Sequence, residues 1–149
     1  MPRWYFEDFT PGFVLEADGP TVTADEVIAF AKKFDPQFFH VDAEAAKGSF
    51  FGGLCASGWH TAAMCMRMMC DSFLLDSASL GSPGVDELRW TKPVFVGDTL
   101  RLKVTVLEQK PSRSRPEMGS VQSRFEVFNQ KGEVVMHMTA WSMFKKRNP

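Results

Sequence analysis

The spacing of apolar and polar residues in the first part of the chain predicts short extended segments and then a helix. Residues Phe13 to Glu16 and Pro20 to Thr23 are predicted to be extended. Thr23 is a suitable N-cap for a helix from Ala24 to Phe34. This helix is expected to end at Asp35, because a residue that precedes proline disfavours helical geometry.

Two further helices are predicted before the pattern changes. Asp42 is expected to cap a short helix that runs through Lys47. A long helix is predicted from about Gly58 to Phe73, where the residues are almost uniformly apolar. Such a helix is normally buried on most sides and not along one stripe alone.

The second half of the chain changes to a period of two residues, which is typical of half-buried strands. Leu100 to Val106 and Val121 to Val127 alternate in this way, and tight turns are predicted at Gly97-Asp98 and at Asn129 to Gly132. Two more strands are predicted, at Pro83 to Thr91 and at Val134 to Lys145.

This order of elements predicts an α+β layer fold in which one antiparallel sheet wraps around one long helix. The chain has 149 residues, enough for a single domain over residues 1–149. The last strand carries apolar residues on both faces, among them Met136, Met138 and Trp141. Its second face is therefore predicted to meet another subunit.

Charge and hydropathy exclude several classes of partner. Lys and Arg number 17 and Asp and Glu number 18, so net charge gives no reason to expect nucleic acid or an anionic membrane. No stretch approaches the roughly 18 apolar residues of a membrane span. The first residues lack the apolar centre of a signal peptide, and we expect a soluble, cytoplasmic protein.

The three cysteines do not predict a disulfide or a metal site. Cys55, Cys65 and Cys70 are odd in number and fall in or beside one apolar segment, which favours reduced thiols that pack as small apolar groups. Together with His60 they recur every five residues. Each such step rotates a helical side chain by about 140°, so the four side chains would not converge on one ion.

Two short motifs carry candidate chemistry. Asp35 and His40 place a carboxylate and an imidazole five residues apart, and Gly58 opens the long helix, whose first N–H groups have no intrahelical partners. A base, a proton donor and an oxyanion site indicate chemistry on a carbonyl compound. Structural alternatives stay open: Asp35 as a helix-stop residue, His40 as a hydrogen-bonded core histidine, and Gly58 as a close-packing residue behind an N-cap at Ser57.

Four segments resemble the MaoC-like dehydratases, the hot-dog-fold family that includes the R-specific enoyl-CoA hydratases. The segments are Asp35 to Asp42, Phe51 to Gly58, Lys92 to Leu100, and Ser112 to Pro116 with Gly119. The resemblance implies a hot-dog fold, a dimer joined edge to edge through its sheets, and a site near the subunit boundary. It also implies catalytic roles for Asp35 and His40 and an oxyanion role for Gly58. The chain departs from the family at Ser57, where hydratases usually have His, and at Met66, where some hydratases have Ser on the central helix.

The candidate substrate-binding residues lie at the glycine turn and in one loop. They are Phe51, Gly53 and Ser57, although Gly53 is also explained by turn geometry. Arg113 and Arg115 suit coenzyme A phosphates, because guanidinium groups match phosphate oxygens. The alternative for these arginines is a solvated hairpin tip.

The leading functional hypothesis is an enoyl-CoA hydratase or 3-hydroxyacyl-CoA dehydratase that acts as a homodimer or higher homo-oligomer. It needs no cofactor or metal, since the coenzyme A thioester is the substrate. Phe38 and Phe39 are expected to raise the basicity of Asp35 by excluding water. An acyl-CoA thioesterase is the first alternative, although Gly58 to Cys70 lacks the acidic residue common on the central helix of such enzymes. A non-catalytic acyl-CoA-binding subunit is the second.

Overall fold

The computed structural model describes residues 1–148, and within them five strands form one antiparallel sheet. The strands are β1 (Val14–Thr21), β2 (Ser79–Trp90), β3 (Thr99–Pro111), β4 (Met118–Phe128) and β5 (Val134–Lys145). They pair in the order β1-β3-β4-β5-β2, so that β1 and β2 form the two edges.

The helices lie between β1 and β2 in the chain. They are α1 (Ala24–Phe34), α2 (Phe38–Val41), α3 (Ala43–Ala46) and α4 (Gly58–Ser72), and short 3-10 helices occur at Phe6–Asp8 and Leu74–Asp76. No helix in residues 1–148 has both the length and the apolar character needed to cross a bilayer.

The core lies between α4 and one face of the sheet. Met64, Cys65 and Met68 of α4 are buried in one apolar cluster with alternate residues of the strands, such as Leu102 and Phe125. The two-residue rhythm of the strands supplies this face, because successive side chains point to opposite sides of a sheet. The predicted α+β arrangement of an antiparallel sheet around one long helix is therefore confirmed.

Local signals in the sequence account for most of the element boundaries. The Thr23 side chain accepts a hydrogen bond from the Glu26 N–H and caps α1, and the Asp42 side chain caps α3. The predicted turn at Gly97-Asp98 is present, with the Asp98 N–H donating to the Phe95 carbonyl.

The elements differ from the predictions in four details. The two extended segments near the N-terminus form one continuous strand, β1, and β2 begins at Ser79 and not at Pro83. The helix α2 was not predicted, because four residues are too few to show a helical period. The helix α4 leaves one stripe exposed, formed by Trp59, Ala63, Met66, Arg67 and Asp71.

The edge strand β2 is exposed along almost its whole length. Every residue of β2 is exposed except the half-buried Leu88. The strand β5 is paired along both of its edges, with β4 and with β2. The unpaired backbone edge of the sheet on this side therefore belongs to β2. The predicted contact with another subunit concerns a face of β5 and stays a prediction.

The strand register defines two ends of the sheet. At the Trp90 end, Trp90 pairs with Met136, and β3 begins. At the Ser79 end, Ser79 pairs with Phe144, and the hairpin between β3 and β4 turns over residues 112–117. These ends are separated by the full length of the strands.

Candidate active site

Asp35 and His40 face each other because the chain makes a one-turn helix between them. α1 ends at Phe34, Asp35 and Pro36 lead away from it, and α2 brings His40 back. The His40 Nε2 lies 3.5 Å from the Asp35 Oδ2. The two groups, which the sequence separates by five residues, therefore lie side by side in space.

The imidazole of His40 is buried, and a backbone carbonyl fixes its orientation. Only 5% of His40 is exposed, and its Nδ1 lies 2.6 Å from the backbone carbonyl oxygen of Cys55. A carbonyl oxygen only accepts hydrogen bonds, so the Nδ1 carries the proton and donates it to Cys55. In the neutral imidazole the Nε2, which faces Asp35, is then an acceptor.

The carboxylate of Asp35 is held by two hydrogen bonds. The Ser57 Oγ donates to its Oδ2 at 2.7 Å, and the Gln37 Nε2 donates to its Oδ1 at 2.7 Å. Burial alone would raise the pKa of Asp35, but the hydrogen bonds from Gln37 and Ser57 and the charge of His40 together hold this pKa below its ordinary value. The carboxylate is therefore ionised at neutral pH.

The expectation that neighbouring phenylalanines raise the basicity of Asp35 was wrong in its net direction. Phe38 is 51% exposed, whereas Phe39 packs against the His40 ring at a centroid distance of 4.5 Å. Desolvation does act on the carboxylate, but the hydrogen bonds to the ionised form outweigh it.

The start of α4 contributes to the wall of the same cavity as Asp35 and His40. Ser57 is the N-cap, and its Oγ accepts a hydrogen bond from the Trp59 N–H while it donates to Asp35. Gly58 is the first helical residue, so its N–H has no carbonyl one turn earlier to bond. The positive end of the helix dipole lies at the same place.

Gly58 also has a packing role. A Cβ at position 58 would lie 2.5 Å from the Cε2 of Trp90, so only glycine allows the indole to pack on the helix start. The close-packing alternative and the oxyanion hypothesis for Gly58 are thus compatible.

Most of the predicted site residues line one cavity of about 440 Å³. Asp35, His40, Phe51, Ser57 and Gly58 all contribute to its wall. Three of the predicted residues lie elsewhere: Gly53 sits 3.8 Å, measured from a built Cβ, from the Phe95 ring, and Arg113 and Arg115 belong to the hairpin at the Ser79 end of the sheet.

Three features of the cavity were missed by reasoning from the sequence. Gln37 holds the second oxygen of Asp35, the Cys55 carbonyl fixes the tautomer of His40, and Trp90 packs over Gly58. Gln37 lies inside the motif that drew attention to Asp35, so its type and position were a usable signal. A backbone carbonyl and a distant tryptophan leave no such signal.

Of two other side chains of interest, Met66 lies outside this cavity, whereas Cys55 contributes to its wall. Met66 lines a separate apolar cavity between α4 and the sheet. Burial, with a smaller contribution from the charge of Asp35, raises the pKa of the Cys55 thiol to about 11, so the thiol is protonated at neutral pH and is a poor nucleophile. The three cysteines are free.

Comparison with known proteins agrees with this fold and motif arrangement. The model of the MaoC-like domain matches residues 9–127. A crystal structure of a MaoC-like dehydratase from Rhodospirillum rubrum superposes with a TM-score of 0.89 at 43% identity, and the match covers 97% of this chain and 99% of that one. The uncharacterised protein YdeM of Bacillus subtilis is 31% identical over 125 residues, covering 84% of this chain and 87% of YdeM.

A named enzyme matches a shorter region. The mesaconyl-CoA hydratase of Cereibacter sphaeroides is 45% identical over 65 residues, which is 44% of this chain and 19% of that enzyme. The fold is the hot-dog fold that the resemblance implied, and the proteins that share it include hydratases and dehydratases. Because the family model matches most of this chain, the chain belongs to the MaoC-like dehydratase family.

Proposed function

We propose that this protein is an enoyl-CoA hydratase or 3-hydroxyacyl-CoA dehydratase, which adds water reversibly across the double bond of a 2-enoyl thioester. The observation that carries the proposal is the single cavity in which Asp35 and His40 lie together with the first residue of α4. Acid–base groups on one side and an N–H donor on the other are what addition to a conjugated thioester needs.

The pair of Asp35 and His40 holds the water. With the Nδ1 proton of His40 engaged by Cys55, the His40 Nε2 and the Asp35 Oδ2 are both acceptors, 3.5 Å apart. One water molecule donates its two hydrogens to these two acceptors and keeps its oxygen lone pairs free for the β-carbon. Its oxygen forms the new C–O bond, and one of its protons passes to the pair.

Gly58 stabilises the charge that develops on the thioester. As the β-carbon is attacked, the electrons of the double bond move towards the thioester oxygen and give it the character of an enolate. The Gly58 N–H and the dipole of α4 stabilise this oxygen. The pair of Asp35 and His40 then delivers a proton to the α-carbon, so that the product carries OH on the β-carbon and H on the α-carbon. No step requires a cofactor.

A second copy of the chain is part of the proposal. Two edge strands β2, each exposed along almost its whole length, pair antiparallel and continue the sheet from one copy to the next. The exposed β2 residues Leu80, Val85 and Trp90 and the exposed α4 residues Trp59 and Met66 supply apolar surface on that side. Trp59 and Trp90 also line the cavity, so this pairing places the site beside the subunit boundary.

The proposal is tested by incubating the purified protein with crotonyl-CoA. We expect the absorbance of the conjugated enoyl thioester to fall without release of free thiol. Release of thiol would instead identify a thioesterase. The helix α4 offers no acidic residue that faces the cavity for that activity. Its one acidic residue, Asp71, is exposed near the far end of the helix and is paired with Arg67. Absence of hydration across a panel of enoyl-CoA esters of different chain length would reject the proposal.

A further inference from the structure

The arginines of the hairpin between β3 and β4 have the chemistry of an anion-binding site. Arg113 and Arg115 are both exposed at its tip, and within residues 1–148 neither forms an ion pair. Arg115 and Lys110 border an open cavity of about 850 Å³ together with Trp141, over whose ring the Lys110 ammonium lies at 5.2 Å. An unpaired guanidinium group beside an aromatic face suits a phosphate-bearing nucleotide, and the second arginine lies two residues away in the same hairpin.

Within one copy these arginines are too far from the candidate active site to serve it. The cavity of Asp35 and His40 borders Trp90, at one end of β2, and the hairpin lies at the Ser79 end. Twelve strand residues at a rise of about 3.3 Å each separate these ends by about 35 Å. The pantetheine arm between a thioester and the first phosphate of coenzyme A equals about four residues of backbone, or about 15 Å.

Antiparallel pairing of two β2 strands brings the arginines of one copy within reach of the cavity of the other. The pairing reverses the second copy, so that its Ser79 end lies beside the Trp90 end of the first. In the second copy β2, β5 and β4 then follow outward at spacings of about 4.8 Å, which puts its β3–β4 hairpin about 15–20 Å from the β2 of the first copy when the strands pair about their centres. This distance matches the pantetheine arm.

We propose that Arg113 and Arg115 of one copy bind the coenzyme A phosphates of the substrate whose thioester lies in the cavity of the other copy. The inference rests on the proposed hydratase function and on the pairing of the β2 edges. It makes each active site dependent on two chains: one supplies Asp35, His40 and Gly58, and the other supplies the phosphate-binding arginines.

The phosphate contact is tested by reversing both charges, with R113E/R115E. We expect kcat/KM for crotonyl-CoA to fall at least about tenfold, mainly through KM, since charges at the rim of a site act on association. Activity on crotonyl-pantetheine, which lacks the phosphates, should change less than about twofold under the same principle. The matched control is R101E/K103E, with the same change in net charge at the Trp90 end of β3, and it should keep wild-type kinetics.

The assignment to the other copy is tested with mixed dimers. Chains carrying Asp35→Asn and chains carrying R113E/R115E are co-expressed with different tags, and the mixed dimers are purified through both tags. In the proposed arrangement one of the two sites has an intact Asp35 and intact arginines, so the mixed dimer should show about half of the wild-type activity. The rates are compared at crotonyl-CoA concentrations below KM. If the arginines served their own chain, one site would lack Asp35 and the other would have its kcat/KM lowered at least about tenfold, so that the mixed dimer would retain about one twentieth of the wild-type activity or less.

Failure of the proposed function and failure of this inference give different results. A wild-type protein without hydratase activity would reject the proposed function, and this inference with it. An active wild type whose R113E/R115E variant keeps full activity on crotonyl-CoA would overturn the inference and leave the function standing. So would an active wild type that is a monomer by light scattering, or mixed dimers that retain about one twentieth of the wild-type activity or less.

Discussion

Two histidines are buried to nearly the same extent in this protein, and their surroundings differ in every respect that matters for chemistry. His40 is 5% exposed and His60 is 7% exposed. His40 donates to the Cys55 carbonyl, faces Asp35 and lines the cavity. His60 lies one turn into α4, where its ring stacks on Phe30 at 4.7 Å, and it does not line the cavity.

The comparison shows that burial does not by itself mark a catalytic histidine. Burial lowers the pKa of His60, and only the charge of Glu26 acts against this. Its Nδ1 is buried without a hydrogen-bond partner among residues 1–148. An imidazole that stays neutral between two helices behaves as a flat core side chain, whereas one held between a fixed carbonyl and a carboxylate exposes a basic nitrogen to a substrate.

The largest effect on activity is expected when the His40 imidazole is removed. His40→Ala should lower kcat for hydration by about 10²–10⁴-fold, because it removes one of the two groups that hold and deprotonate water. The alanine also leaves the Cys55 carbonyl unpaired, so His40→Asn, which keeps a donor at that position, separates catalysis from folding. The asparagine variant should melt near the wild-type temperature in calorimetry and still be inactive; substantial activity in it would remove His40 from the mechanism.

A methyl group at position 58 should have the next largest effect. Gly58→Ala places a Cβ 2.5 Å from the Trp90 ring, which forces the indole or the start of α4 to move. We expect kcat/KM to fall by about 10²–10³-fold, the usual effect of losing one oxyanion donor, with some loss of stability. Gly48→Ala is the control, since a Cβ there meets only the Ala45 oxygen at 3.8 Å. Equal kinetics in the two variants would argue that the position of the Gly58 amide is unimportant.

A smaller effect, on pH dependence, is expected at Ser57. Ser57→Ala removes a hydrogen bond that lowers the pKa of Asp35, so this pKa should rise. Activity needs the ionised carboxylate, and the acid limb of the profile of kcat/KM against pH should therefore move to higher pH, with a loss of about tenfold or less at neutral pH. Thr23→Ala removes the N-cap of α1 without touching Asp35. It should lose about 1 kcal/mol of stability and keep the wild-type pH profile; a shift in both variants would contradict the assignment.

The smallest effect on activity is expected at His60. His60→Phe keeps a flat ring against Phe30 and removes the buried, unpartnered nitrogen, so kcat should stay within about twofold of wild type and the melting temperature should hold or rise. In the wild type the pKa of His60 is lowered in the folded protein, so the unfolded chain binds a proton at this residue more readily than the folded protein does. Stability is therefore lost as the pH falls below about 6.5, and the phenylalanine variant should lose less. Inactivity of a folded His60→Phe protein would show that burial was the better guide.

Features that are set by neighbouring residues could be predicted from the sequence, whereas contacts between distant segments could not. Caps and stops are local, so Thr23, Asp42 and the step at Asp35-Pro36 placed α1 and α3 correctly, and the period of two placed the strands β3 to β5 within a few residues. The motif around Asp35 and His40 also pointed to one site, because the two residues lie only five positions apart. The packing of Trp90 on Gly58 joins residues 32 positions apart, and neither segment contains a local pattern that predicts it.

The edges of the sheet were the other feature that the sequence left open. Apolar residues on both faces of β5 predict a subunit contact through its second face, which the strand order does not test. The order does show that both edges of β5 are paired, with β4 and β2, so that the unpaired edge on this side belongs to β2. Strand order depends on which backbones pair, and alternation of side chains carries no information about neighbours. For the same reason the distance between the hairpin arginines and the cavity became visible only with the register of β2.

The role of Asp35 as the base of a water-adding site is decided by one pair of rates. The rate of crotonyl-CoA hydration is measured side by side for the wild type and for Asp35→Asn, which keeps acceptor and donor atoms for Ser57 and Gln37 but cannot take a proton. The account predicts a wild type that hydrates the substrate and a variant at least about 10²-fold slower with the same thermal unfolding. A folded Asp35→Asn protein that hydrates crotonyl-CoA at the wild-type rate would contradict it.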